Sequence, residues 1–131
     1  MKTKPILIAF LFVIALAYGA IPAFSAETPK PYVADPKAKE VTINMKAHKY
    51  AFDPGDITVY QGQKITLNIT ALDAKHGFKL DAFNINVTVP KGETMTVTFV
   101  ADKTGEFPFK CSVFCGPGHF GMKGVLKVVK P

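Results

Sequence analysis

The sequence predicts an all-β domain of the Greek-key β-sandwich or barrel type, and three observations carry that prediction. Beyond residue 40 the chain alternates apolar and polar side chains, most clearly in KITLNIT, where Ile65, Leu67 and Ile69 share one face. Turn-forming segments rich in Gly, Pro and Asp separate the alternating runs. No window after the first segment shows a helical period. Seven or eight short strands in about 90 residues are typical of an antiparallel sandwich.

The first element is a targeting segment. Lys2 and Lys4 precede an uncharged apolar run that extends from residue 5 to residue 26, and small residues stand just before a predicted cut. Residues 1–25 are therefore predicted to be a signal peptide. The alternative is that residues 5–24 remain as a single membrane anchor, because that run is nearly long enough to span a bilayer. Either outcome predicts a periplasmic or otherwise extracytoplasmic location, soluble or anchored by an N-terminal helix.

The second element, residues 26–39, is predicted to be a Pro-rich extended linker. Pro29, Pro31 and Pro36 exclude a helix or a central strand there. The remainder, residues 40–131, is predicted to be one β domain. In chain order its strand-like runs are EVTINM, DITVY, KITLNIT, INVTV, TMTVTFV, EFPF and VLKVV. Met45 and Met95 occupy apolar positions in two of these runs and are predicted to lie in the core.

The charge of the chain argues against one function class. The net charge is +6, and all 16 basic residues are lysines. Arginine is the usual residue for bidentate contacts to phosphate and guanine, and this chain has none. We therefore expect a mildly basic surface and no nucleic-acid binding.

The chemistry-bearing residues gather in CSVFCGPGHFGM, residues 111–122, which contains both cysteines of the chain. This segment follows one predicted strand, and His76 follows another. A rigid sandwich that carries ligands on the loops at one end can build a preorganised metal site. The sequence therefore predicts that His76 lies close to the loop of residues 111–122.

Three kinds of site are compatible with this pattern. A disulfide between Cys111 and Cys115 would close a very small loop, would constrain the unfolded chain little, and would leave His119 and Met122 unexplained. Zinc would suit two cysteines and two histidines, but it has no use for a thioether. Copper uses thiolates, imidazoles and a weak axial methionine together. A mononuclear blue site needs one cysteine only, so the second cysteine indicates a second metal.

The loop fits the pattern C-x-x-x-C-x-x-x-H-x-x-M and thereby resembles the binuclear copper A (CuA) domain. That domain occurs in subunit II of haem–copper cytochrome oxidases and in nitrous oxide reductase. The upstream segments DAKHGF, INVTVPKGE and FDPGDITVYQG are also similar to the family, so the resemblance covers roughly residues 41–130. It implies a cupredoxin-like fold and two copper ions as the cofactor.

The resemblance also implies a set of ligands and a function. The implied ligands are the bridging thiolates of Cys111 and Cys115, the imidazoles of His76 and His119, the thioether of Met122 and the backbone carbonyl of Val113. The implied function is the relay of single electrons between a donor and an acceptor protein, such as a cytochrome or a terminal oxidase. No residue is predicted to be catalytic, and the chain is not expected to be an enzyme by itself.

Two departures from the family pattern leave alternatives open. Val113 stands where oxidase subunits commonly carry a magnesium-binding glutamate, and the chain has no tryptophan for electron transfer into the site. Tyr50, in the matching stretch HKYAFDPG, is predicted to serve instead. The alternatives are a subunit II-type component of a haem–copper terminal oxidase and a copper carrier or storage module.

Lysines flank the predicted ligands. Lys75 and Lys79 lie on either side of His76, Lys110 precedes Cys111, and Lys123 follows the loop. If these side chains crowd the copper end, that face is positive. Opposite charge on a partner steers its encounter with such a face. We therefore expect faster electron exchange with acidic redox proteins than with basic ones.

Overall fold

The computed structural model describes Gly19 and residues 29–131. The segment 1–25, predicted to be a signal peptide or an anchor, lies outside the described residues except for Gly19. Within the described part of the chain, no helix is long and apolar enough to cross a membrane.

The described residues form strands joined by turns and two short 3-10 helices. The strands are Tyr32–Val33 (β1), Glu40–His48 (β2), Ala51–Asp53 (β3), Asp56–Tyr60 (β4), Lys64–Ala71 (β5), His76–Leu80 (β6), Ile85–Val89 (β7), Thr94–Val100 (β8), Gly105–Lys110 (β9) and Lys123–Val129 (β10). The 3-10 helices are Asp81–Phe83 and His119–Gly121. The prediction of an all-β domain is confirmed, and every strand-like run of the sequence forms a strand.

The strands form two sheets. The six-stranded sheet has the order β1-β4-β10-β9-β6-β7, and the four-stranded sheet has the order β3-β2-β5-β8. The expectation of purely antiparallel pairing is wrong, because β1 with β4, β4 with β10, and β2 with β5 are parallel pairs. Alternation within a strand sets which face is apolar, but it carries no information about the direction of the neighbouring strand.

The core lies between the two sheets. Every second residue of β2 and β5 is buried, so Met45 is in the core as predicted, together with Ile65, Leu67 and Ile69. The prediction for Met95 is wrong, since 36% of its surface is exposed. It lies on β8, which is the edge strand of the four-stranded sheet and is covered incompletely by the other sheet.

The middle of the predicted linker, residues 32–34, belongs to the sandwich. Tyr32 and Val33 pair in parallel with Ile57 and Thr58 of β4, and the next residue, Ala34, is buried. The strand lies at the edge of the six-stranded sheet, the position where a neighbouring proline is tolerated.

An aromatic cluster beneath one end of the sandwich positions the candidate site. Phe52, Phe78 and Phe109 are buried, and their ring centroids lie 5.1 to 5.8 Å apart. Phe78 lies two residues after His76 on β6, and Phe109 lies two residues before Cys111. Because residues two apart on a strand share a face, the cluster fixes the direction of both functional side chains.

Candidate metal centre

The loop of residues 111–122 connects β9 to β10 and is closed at its base. The Cys111 N–H donates a hydrogen bond to the Met122 carbonyl at 3.0 Å, and Lys110 stands opposite Lys123 in the next pair of the ladder. The first and last candidate ligands of the loop are therefore held by the same pair of strands. His76 is the first residue of β6, which neighbours β9 in the sheet.

The sulfur atoms of the loop lie side by side. The Cys111 Sγ and Cys115 Sγ atoms are 3.7 Å apart, and the Met122 Sδ lies 3.8 Å from the Cys115 Sγ. Both cysteines are free, and the separation of their sulfurs far exceeds the roughly 2 Å of a disulfide bond. All three side chains are buried. The structure thus provides a thiol pair with a thioether on one side, and the disulfide alternative does not apply to it.

Each cysteine faces a different histidine. The Nδ1 of His76 lies 3.9 Å from the Cys111 Sγ, and the Nδ1 of His119 lies 3.6 Å from the Cys115 Sγ. His76 is fully buried, whereas His119 is half-buried at the surface of the domain. The donor atoms of His76, Cys111 and Cys115 all lie within 4.8 Å of one another, close enough to share a metal.

Two backbone groups also lie close to the Cys111 sulfur. The Val113 carbonyl oxygen lies 3.1 Å from the Cys111 Sγ, and the Gly77 N–H donates to the same sulfur at 3.4 Å. A Cβ atom at position 77 would lie 2.8 Å from the Val113 nitrogen and would collide with Ser112. Sequence reasoning missed this role of Gly77. The only sign of it in the sequence is that a glycine directly follows the candidate ligand His76, in HGF.

The far side of the His76 ring is held by Asp73. The Asp73 carboxylate accepts a hydrogen bond from His76 Nε2 at 2.9 Å and another from the Lys49 N–H at 2.8 Å. Slight desolvation works to raise the pKa of Asp73, but these two partners outweigh it and lower the pKa below its usual value. The carboxylate is therefore ionised, and it can only accept.

The thiol of Cys115 is poorly disposed to ionise without a metal. Burial, followed by the neighbouring Cys111, raises the pKa of Cys115 to about 11. The thiolate is the form that binds metals, so metal binding to this site has to displace protons.

Tyr50 covers the turn between Cys115 and His119. A Cβ atom on Gly116 or Gly118 would collide with the Tyr50 ring, so these glycines allow the ring to lie directly against the backbone. Gly116 also has a φ of 137°, a conformation that other residues rarely adopt. Tyr50, which the sequence nominated for electron transfer into the site, thus lies against the ligand loop.

Two apolar side chains that sequence reasoning missed flank His119 at the surface. Phe114 is 70% exposed and Phe120 is 88% exposed, and their ring centroids lie 5.6 and 5.2 Å from that of the His119 ring. A signal was available in the sequence, since both are large apolar residues in a loop that otherwise consists of ligands, small residues and glycines. They surround the most exposed of the candidate ligands.

The donor atoms fit copper. Two thiols, a thioether and the His76 imidazole are buried together, the half-buried His119 imidazole faces Cys115, and the soft sulfur ligands favour copper. The contact between Met122 and Cys115 argues against zinc, which uses cysteine, histidine and carboxylate ligands. The structure brings together all of the residues that the sequence nominated as ligands.

Comparisons with known proteins agree with this geometry. The profile of the family described as "Cupredoxin-like domain" matches residues 7–128. Cytochrome c oxidase subunit 2 of Thermus thermophilus is 34% identical over 140 residues, which cover 91% of this chain and 83% of that protein. Nitrous-oxide reductase of Cupriavidus necator is 34% identical over 102 residues, which cover 70% of this chain and 16% of that enzyme.

Among solved structures, the periplasmic domain of subunit II of cytochrome oxidase (CoxB) of Bradyrhizobium japonicum has the same fold. It matches with a TM-score of 0.64 at 23% identity and covers 73% of this chain and 88% of that domain. The sandwich, the sulfur and imidazole cluster and the family match lead to one conclusion: this chain belongs to the cupredoxin-like domain family.

Proposed function

We propose that this chain is an extracytoplasmic copper protein that relays single electrons between redox partners through a CuA centre of two copper ions. The observation that carries the proposal is the arrangement of the two thiols, which lie 3.7 Å apart with each facing its own histidine. A mononuclear blue copper site would leave one buried thiol without a role. Two thiol–imidazole pairs, one for each ion, fit a binuclear centre.

The proposed ligands are those that the sequence nominated. Cys111 and Cys115 would hold both ions through their thiolates, His76 and His119 would each supply an imidazole, and Met122 and the Val113 carbonyl would complete the set. Such a centre, when bound, takes up and releases one electron that both copper ions share. The chain's own contribution is rigidity, because the closed loop base, Asp73 and the aromatic cluster hold the ligands in place.

The domain organisation and location are part of the proposal. Residues 1–25 act as a signal peptide or, in part, as an anchor, residues 26–39 are a linker whose residues 32–34 pack on the sandwich, and residues 40–131 form the rest of the copper domain. The similar Bradyrhizobium japonicum domain is described as periplasmic, which supports an extracytoplasmic location. So does the apolar N-terminal run.

A second candidate function is that of a subunit in a terminal oxidase. The observation in its favour is that the chain spans 83% of the cytochrome c oxidase subunit 2 of Thermus thermophilus. In that case the electron acceptor would be the catalytic subunit of the same complex. Co-purification with a haem-containing subunit is the result that would favour this candidate over a free relay protein.

Copper stoichiometry and an electron-spin spectrum test the proposal. The copper-loaded protein should contain two copper ions per chain, be purple, and show a spin signal spread over two copper nuclei. One copper per chain with the spectrum of a blue site would contradict the binuclear centre. Tight copper binding without reversible electrochemistry would instead support the carrier or storage alternative.

A further inference from the structure

Three lysines stand side by side on the outer face of the six-stranded sheet. Lys79 of β6 is paired with Lys110 of β9, and Lys110 is paired with Lys123 of β10. Asn86 of β7 continues the line on the other side of Lys79. Lys79, Lys110 and Lys123 are called the lysine row below. Three of the four lysines that the sequence nominated therefore lie together.

This arrangement is unfavourable for the isolated chain. Like charges directly opposite each other on neighbouring strands repel. Lys79 is partly neutralised by Asp81, whose carboxylate lies 3.4 Å from the lysine Nζ. Within residues 29–131, no carboxylate lies within 4.0 Å of the ammonium group of Lys110 or Lys123. The row thus retains net positive charge, since its three lysines share one short ion pair.

The lysine row lines a cleft that reaches the metal centre. The cleft has a volume of about 430 Å³, and its other walls include Cys111, His119, Phe120 and Met122. Lys75, the fourth nominated lysine, is exposed but does not line it. The positive charge of the row therefore lies beside the candidate ligands, next to the exposed ring of Phe120.

We infer that the lysine row is the docking site for a cluster of carboxylates on the protein that exchanges electrons with this chain. This inference rests on the proposed function and names the partner's chemistry. Neighbouring strands lie about 4.8 Å apart, so the Cα atoms of the row extend over roughly 10 Å. That span suits several carboxylates on a protein surface better than one small anion. Docking there would place the partner's acidic face against Phe120 and His119.

The test compares two charge reversals of equal size in the copper-loaded protein. The row variant combines Lys110→Glu with Lys123→Glu. The control combines Lys39→Glu with Lys130→Glu. Both lysines are exposed and lie at the opposite end of the sandwich, where Lys39 precedes β2 and Lys130 follows β10. Lys130 lies beyond the last residue of β10 and Lys123 is its first, so about 20 Å separates them. That distance exceeds the screening length of about 10 Å at 0.1 M salt.

The rate of electron exchange is measured with two probes, an acidic plant-type ferredoxin and a basic cytochrome c, at about 10 mM and about 100 mM salt. Electrostatic steering raises association rates by roughly tenfold to a thousandfold. We therefore expect the parent protein to prefer the acidic probe at low salt, and the row variant to react with it at least about tenfold more slowly. At about 10 mM salt the control should slow the acidic probe less than the row variant does, and at about 100 mM it should retain most of the parent rate.

Three results would overturn the inference. The first is equal slowing by the row variant and the control, and the second is a faster rate with the basic cytochrome than with the ferredoxin. The third is binding of inorganic phosphate in the cleft together with a ferredoxin rate that is the same in the row variant and the parent. The copper spectrum of each variant, recorded alongside, reports on the proposed function separately. An intact binuclear spectrum with no docking effect rejects only the docking site. An acidic probe that binds the row in a protein without a binuclear spectrum rejects only the proposed function.

Discussion

Asp73 and His76 form a pair that sets the direction of a candidate ligand before any metal arrives. The Asp73 Oδ1 lies 2.9 Å from the His76 Nε2, whereas the Nδ1 of the same ring faces the Cys111 Sγ. Because the carboxylate can only accept, the proton of the neutral ring resides on Nε2. The lone pair of Nδ1 is thereby directed at the cysteine cluster, as a metal ligand requires.

Asp73→Ala is expected to lower copper affinity by roughly 10- to 100-fold, the usual cost of removing a carboxylate behind a histidine ligand. A competition titration against a copper chelator measures this change. Asp102→Ala, at an exposed aspartate in the turn between β8 and β9, is the control and should leave the affinity unchanged. Equal affinities for both variants would mean that Asp73 has no part in holding His76 for the metal.

Cys111→Ser and Cys115→Ser should each abolish the binuclear spectrum, because each sulfur lies between the other thiol and a histidine.

Met122→Leu should keep both copper ions and mainly shift the reduction potential, since an axial thioether tunes such a site. Val113→Ala keeps the carbonyl and should be nearly silent. Copper content and voltammetry distinguish these outcomes. A loss of copper in Met122→Leu as complete as in a cysteine variant would contradict the assigned roles.

Gly77→Ala should disturb the loop at its closest approach to β6. The added Cβ would lie 2.8 Å from the Val113 nitrogen, so the backbone must shift. We expect a loss of about 1–3 kcal/mol in unfolding free energy, the usual cost of overpacking, together with an altered copper spectrum. Gly121→Ala is the matched control, since a Cβ there meets nothing within 4 Å. Thermal unfolding measures the stability of both variants. Equal stabilities would show that the loop accommodates the added methyl group at position 77 without cost.

Tyr50→Ala should uncover the turn at Gly116 and Gly118, against which the ring packs. We expect a stability loss of roughly 1–3 kcal/mol and faster loss of copper to a chelator. Tyr50→Phe keeps the ring and should keep both properties. Electron exchange rates of the two variants also test the proposed path into the site. A rate unaffected in Tyr50→Ala would place that path elsewhere.

Alternation was sufficient to predict most strands but not all of them. The buried residues of β2 and β5 alternate with polar ones along the whole strand. The prediction missed β6, because four of its five residues are buried and no polar face marks it. It also missed β1 and β3, which have two and three residues, too few to show a period. Parallel pairing depends on contacts between distant segments, which a local pattern does not contain.

More of the candidate site than of the strand pairing could be predicted from the sequence, because most of its residues are close together in the chain. Four of the nominated side chains belong to one loop, where spacing alone brings them near each other. His76 is 35 positions away from Cys111, and its placement depends on the neighbouring strands β6 and β9. Its position after a predicted strand first indicated that residue, and resemblance to a known motif then assigned it as a ligand. The close approach of Gly77 and the exposure of Phe120 depend on packing, so the weak sequence signals for them did not establish either role.

The hydrogen bond between the Cys111 N–H and the Met122 carbonyl has an evolutionary consequence. It confines most of the candidate metal chemistry to one insertion between two adjacent strands, whose ladder resumes at Lys110 and Lys123. A sandwich of this design can exchange that insertion for another while the strands on either side keep their pairing, and the buried side chains of Cys111, Cys115 and Met122 change with it. His76 is the one fixed requirement, because it belongs to the frame. Descendants of one ancestral scaffold can therefore diverge in the number and kind of metals they hold by replacing a single hairpin loop.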